Sequence, residues 1–202
     1  MSQSLRAMLV AIALAALLPA AAPAAADTPT QIINGYYGLL LKAMKGGKTL
    51  GFKGRFDLLG PGVDSTFNIA LMAQASVGAY WDTMSEPQRQ ALVEAFREFT
   101  IANYAHNFDS YGGEQFETMS EKETPRKDVI VYSNIVKSDG DKVAINYLLR
   151  QDGGRYKVID VFLDGSISQL ATRRAEYTSL IRRDGVDALI QAIRQKADGL
   201  AN

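Results

Sequence analysis

The sequence of 202 residues has no cysteine, one histidine and one tryptophan. Without cysteine there can be no disulfide, thiolate zinc site, Fe–S cluster or cysteine nucleophile. His106 alone cannot build a histidine-rich metal site, nor a Ser-His-Asp triad with a spare. Any metal would need oxygen ligands, and no loop has the spacing of an EF-hand. Charge of one sign is lacking too, with 22 Lys+Arg against 22 Asp+Glu. Nucleic-acid modules carry a basic excess or stripe, so nucleic acid is not an expected partner. With 47% hydrophobic and 9% aromatic residues, the composition excludes a disordered chain.

One segment departs from this balance. Residues 1–26 hold a single charge, Arg6, and no acid. Ala7 to Leu18 forms an apolar stretch of 12 residues, too short for a bilayer that needs about 20. Pro19 and Pro23 break the run, and Ala24-Ala25-Ala26 places small residues before Asp27. The segment reads as a signal peptide cleaved after Ala26, and an uncleaved anchor is the alternative. The expected mature chain, 27–202, is exported and forms one domain with a sizeable core. Its net charge is −1, from 21 basic and 22 acidic residues.

Apolar periodicity then sets the expected elements. Ile32, Ile33, Tyr36, Tyr37, Leu40, Leu41 and Met44 make a helical stripe over 31–46 that ends at Gly46-Gly47. Residues 51–62 read as a turn and short helix stopped by Gly60-Pro61-Gly62. A further helix is expected over 64–77, closed by Gly78. Ser85 and Gln88 form a capping box for the next helix. Along it Leu92, Phe96, Phe99, Asn103 and His106 share a stripe as far as Tyr111-Gly112-Gly113. From Glu114 the period changes to two, giving strands near 114–122, 128–138, 141–151 and 155–164. Turn residues between them suit hairpins, and hence an antiparallel meander. Helices near 168–183 and 187–197 close the chain, with Gly185 between them. The class is α+β, with a sheet of four to five strands between N- and C-terminal helices.

Motifs that carry chemistry are scarce. Gly46-Gly47-Lys48-Thr49 resembles the tail of a phosphate-binding loop, but Lys42 stands where that motif needs glycine. Ser166 and Ser168 follow a strand without the spacing of a nucleophile elbow, and Ser168 reads as a helix N-cap. Asp160 is a carboxylate inside an apolar strand. It is either a general base partnered by His106 or a structural group bonding a backbone turn or an arginine such as Arg173 or Arg174. The structural reading is preferred, since nothing in the sequence brings His106 near it. Phe96 and Phe99 face one side of their helix, toward a packed core or a ligand.

Several segments taken together resemble a known family. These are Arg55-Phe56-Asp57, Val77-Gly78-Ala79-Tyr80-Trp81, then Gln88, Phe96 and Tyr104. Downstream come Tyr156-Lys157-Val158-Ile159-Asp160-Val161, Gly165, Arg174, Tyr177 and Gly185. Their order and spacing resemble the MlaC family of periplasmic lipid-binding proteins, known also as toluene-tolerance auxiliary proteins of an ABC transporter. Gly165-Ser166-Ile167-Ser168 is one residue longer than the family's Gly-Val-Ser, and with Arg173-Arg174 it looks like the hopanoid-associated HpnM branch.

The resemblance implies helices and a twisted sheet around an apolar cavity that takes lipid tails. Exposing a tail of about 16 carbons to water costs on the order of 12 kcal/mol, so a carrier must supply an apolar interior. The expected lining is Phe67, Leu71, Phe96, Val131, Ile145, Tyr147 and Val161, with Asp160, Arg173 and Arg174 at the mouth or structural. The implied function is a periplasmic carrier shuttling hopanoid or a related lipid between membrane-bound transport partners at the outer membrane side. The alternatives are a phospholipid carrier, a small enzyme using Asp160, and an adaptor without ligand. No cofactor, metal site or catalytic set is expected.

Overall fold

The computed structural model describes residues 27–201, so the expected signal peptide lies outside the described residues. The first helix, α1 (Pro29–Thr66), starts at Thr28, whose hydroxyl accepts from the Gln31 amide while the Gln31 side chain accepts from the Thr28 amide. The break expected at Gly46-Gly47 is present but brief: Gly47 (φ 38°) and Gly51 (φ 62°) leave helical geometry and the helix then resumes. Arg55 is buried beside this kink and donates to the carbonyls of Gly47 (2.9 Å) and Ala105 (2.8 Å). Its charge therefore sits where kinked or terminal carbonyls need donors.

Gly60-Pro61-Gly62 does not stop the helix, contrary to expectation. Pro61 is exposed within it, and Gly62 packs against Leu39 instead. A Cβ on Gly62 would lie 2.5 Å from Leu39 Cδ1, so any larger residue there would require the Leu39 side chain to move. The helix ends at Phe67, which bridges to Val158 of the sheet. The second helix, α2 (Ile69–Val77), begins five residues later than the expected start at Asp64, with the Asn68 side chain accepting from the Leu71 amide.

Gly78 (φ 57°, ψ −131°) ends α2 and opens a 3-10 turn, Gly78–Thr83. In that turn Trp81 receives the Arg89 guanidinium over its ring at 5.4 Å. The next helix, α3 (Glu86–Asn107), carries the expected capping box of Ser85 and Gln88 and ends before Tyr111, at Asn107. Arg97 of α3 donates twice to the Asp64 carboxylate, at 2.6 Å each, and so ties α3 to the end of α1.

Five strands follow as an antiparallel meander in sequence order: β1 (Gln115–Glu123), β2 (Val129–Val136), β3 (Lys142–Asp152), β4 (Arg155–Leu163) and the short β5 (Ile167–Ser168). Gly153 and Gly154, both at positive φ, make the tight β3–β4 turn. Val131, Tyr147 and Val161 lie directly across from one another and share one face. The register slips between Leu148 and Leu149, pairing Leu148 with Asp160 and Leu149 with Val158. Ile159 is the extra residue, so Val158 and Val161 both reach the core. That bulge is why β4 reads as apolar on both faces.

The last helices are α4 (Gln169–Asp184), with Ser168 as N-cap accepting from the Ala171 amide, and α5 (Val186–Gly199). The sheet is met by α1, α2 and α4, while α3 and α5 pack on other helices, and Leu189, Ile190 and Ile193 of α5 are buried as expected. Among the described residues no helix is long and apolar enough to cross a membrane.

A side chain at Gly78 would meet a backbone conformation reserved for glycine, and its Cβ would lie 2.7 Å from Arg174 Nη2. Gly78→Ala should therefore cost about 1–3 kcal/mol. Thermal unfolding should show a Tm lower by several degrees, only partly restored by adding Arg174→Ala. An unchanged Tm would contradict this account of the turn.

Candidate binding cavity

Where α3 and α4 lean over the ends of β3 and β4, the interior is not filled. A cavity of about 440 Å³ lies there, within the usual range of ligand pockets, about 300–1,000 Å³. Its sheet side is made by Ile145, Tyr147, Val161 and Leu163, and its helix side by Met72, Phe96 and Phe99. Phe67, Tyr104 and Phe108 add three more aromatic rings to the lining. The rim is polar, with Asn103 and Asn107 from α3, Thr172, Arg173 and Glu176 from α4, and Lys196 from α5.

Five of the seven expected lining residues are brought together here: Phe67, Phe96, Ile145, Tyr147 and Val161. Two are not. Val131 shares the sheet face but is fully buried in the packed core, one strand away from the cavity. Leu71 is half-buried and its neighbour Met72 takes the cavity position, because α2 starts at Ile69 and its buried face turns accordingly. Sequence reasoning missed Tyr104 and Phe108 as lining. The signal was available, since Tyr104 follows Phe96 and Thr100 at helical spacing on the cavity face of α3.

Asp160 lies behind the cavity wall. Its carboxylate accepts from the amides of Val161 (2.8 Å) and Leu170 (3.0 Å) and from the Ser168 hydroxyl (2.5 Å). It thus joins β4 to the first turn of α4, where a negative charge is favoured. None of these bonds involves His106, which is exposed and contacts the Leu200 carbonyl at 3.2 Å. The pairing of Asp160 with Arg173 or Arg174, or with His106 as a base, does not occur.

The two arginines part company. Arg174 is exposed and covers the Gly78 turn. Arg173 turns into the cavity wall, with its guanidinium over the rings of Phe99 (4.7 Å) and Phe96 (5.2 Å). Among the described residues no carboxylate lies within ion-pair distance of it; Glu176 on the same helix is paired with Lys196. Burial pushes the Tyr177 hydroxyl above the ordinary tyrosine range, and the Arg173 charge partly offsets this.

Beneath the cavity is a knot of tyrosines. Tyr36 meets Phe67 and Tyr104 edge-on, at ring separations of 5.1 and 5.2 Å. Tyr37 meets Tyr147 at 5.8 Å. Burial above all holds Tyr36, Tyr104 and Tyr147 well above the usual tyrosine pKa, so all three remain neutral. The Tyr36 hydroxyl is buried and lies close to that of Tyr104.

The site residues predict one separation of roles. Asp160→Asn should destabilise the fold by about 1–3 kcal/mol, because buried amides lose their charged acceptor. Urea unfolding measures that loss, while ligand binding per folded molecule stays within a few-fold. A variant that keeps its stability but loses a turnover would restore the enzyme reading.

Comparisons with known proteins bear on this cavity. The family model described as MlaC protein matches residues 38–195. The intermembrane phospholipid transport system binding protein MlaC of Haemophilus influenzae is 25% identical over 134 residues. That match covers 64% of this chain and 62% of the relative, less than two thirds of the relative's length. A solved structure from Ralstonia solanacearum, a phospholipid-binding protein in complex with a phospholipid, superposes with a TM-score of 0.74. It is 20% identical, covering 85% of this chain and 97% of the other, and the likeness establishes the fold.

Proposed function

The chain belongs to the MlaC protein family, and from that premise we propose that it is a non-enzymatic carrier of an anionic phospholipid. The observation that carries this reading is an apolar cavity with one guanidinium in its wall that has no carboxylate partner among the described residues. Apolar side chains supply the solvent for an acyl tail, each buried CH₂ contributing about 0.8 kcal/mol. Arg173, stacked on Phe96 and Phe99, presents donors that fit a phosphate oxygen pair at the rim. The aromatic faces fix its direction without consuming its charge.

The names of the relatives support phospholipid as the cargo class and a transport system as the setting. On this reading the partners are membrane-bound transporter components that deliver and receive the lipid. The N-terminal segment with Arg6 and Ala24-Ala25-Ala26 supports export to the periplasm, with a single lipid-binding domain following it. The hopanoid cargo of the HpnM branch finds no support in the relatives' names. The Gly165–Ser168 segment that suggested it forms the β4–β5 turn and the N-cap of α4. A neutral polyol head would leave Arg173 without a counter-charge.

The test is binding of phosphatidylglycerol to delipidated protein. Arg173→Gln should weaken binding several-fold, and the loss should shrink as salt rises, because screening removes the same interaction. Arg174→Gln should have little effect. Equal loss from both variants, or stronger retention of a hopanoid in direct competition, would overturn the anionic phospholipid assignment.

A further inference from the structure

Behind two of the rings that line the cavity stands a third that does not. Phe67 and Tyr104 line the cavity, and the ring of Tyr36 stands against both, edge-on at 5.1 and 5.2 Å. On the far side of Tyr36 lies a second hollow of about 310 Å³, which Tyr36 itself lines together with Ile32, Gly35 and Leu39 of α1 and Tyr156 of β4. No residue lines both hollows, and Tyr36 of the one touches Phe67 and Tyr104 of the other. We propose that Tyr36, backing Phe67 and Tyr104, is the end wall that limits the chain length the cavity accepts. The inference rests on the lipid-carrier reading and adds to it a residue that determines specificity.

Three features suit Tyr36 to this role. Its ring is buried, with 1% of its surface exposed. It is held by rings on two different elements, Phe67 at the end of α1 and Tyr104 on α3, so no single side-chain rotation opens the passage. Its hydroxyl lies close to that of Tyr104, so the polar atoms as well as the rings hold the two side chains together. Behind it the second hollow is lined by Ile32, Leu39 and Tyr156 beside Tyr36, mixed with the polar residues Gln31, Ser65, Thr66, Arg155 and Lys157. A longer chain that passed the wall would meet Ile32, Leu39 and Tyr156 there.

The experiment uses delipidated protein and a series of lysophosphatidylglycerols of increasing saturated chain length. Affinity for the native protein should rise by about fourfold per added CH₂ and then stop rising at a definite length. Tyr36→Ala should move that break to longer chains, and Tyr36→Phe, which keeps the ring, should restore the native break. Tyr36→Leu should move it by a smaller amount, which keeps the comparison decisive if the alanine variant does not fold. A break at the same length in native protein and in a folded Tyr36→Ala or Tyr36→Leu variant overturns the end-wall assignment alone. If no lysolipid binds the native protein at any length, the carrier reading fails, and this inference fails with it.

Discussion

A protein interior normally closes on itself, because atoms facing a void forgo the dispersion contacts that a filled core provides. Leaving about 440 Å³ open therefore requires walls that are braced from outside the hollow. Each brace in this fold can be named. Asp160 fastens the start of α4 to β4 through Leu170 and Ser168. Arg97 and Asp64 hold α3 against the end of α1. Arg55 anchors the α1 kink to a carbonyl near the end of α3. The lining is rich in aromatic rings, which keep their shape with few rotatable bonds. The hollow persists because its frame is fixed by polar contacts that do not enter it.

The same frame determines where charge can appear. A guanidinium inside an apolar wall is costly unless something compensates for lost water. For Arg173 the compensation is the faces of Phe96 and Phe99, and its place at the rim keeps it partly hydrated. Glu176 and Lys196 neutralise each other nearby and so do not cancel it. A positive site next to an apolar pocket matches a molecule with a tail and an anionic head, and the neutral tyrosines below it match the tail alone.

Much of this was legible in the sequence, for local reasons. The capping box at Ser85, the N-cap at Ser168 and the glycine-rich turns rest on neighbours a few residues apart, and the structure has them. The backbone bonds of Asp160 were legible because nothing in the sequence brought His106 near it. Gly60-Pro61-Gly62 misled because the reason for Gly62 is Leu39, distant in sequence. Leu71 and Val131 misled because an apolar stripe reads the same over a filled core and over a hollow. The different fates of Arg173 and Arg174 were hidden as well, since adjacent helical positions point about 100° apart and only packing decides which one faces inward. Resemblance to the MlaC family supplied the cavity that patterning alone could not.

The central claim is that this hollow is occupied by a lipid in the working protein. Mass spectrometry of the protein purified from its native host, intact under gentle conditions and after extraction with organic solvent, tests it most directly. The account predicts an anionic phospholipid close to equimolar with the chain, released on denaturation. A protein whose intact mass is that of the polypeptide alone, and whose extract holds no lipid, would contradict it.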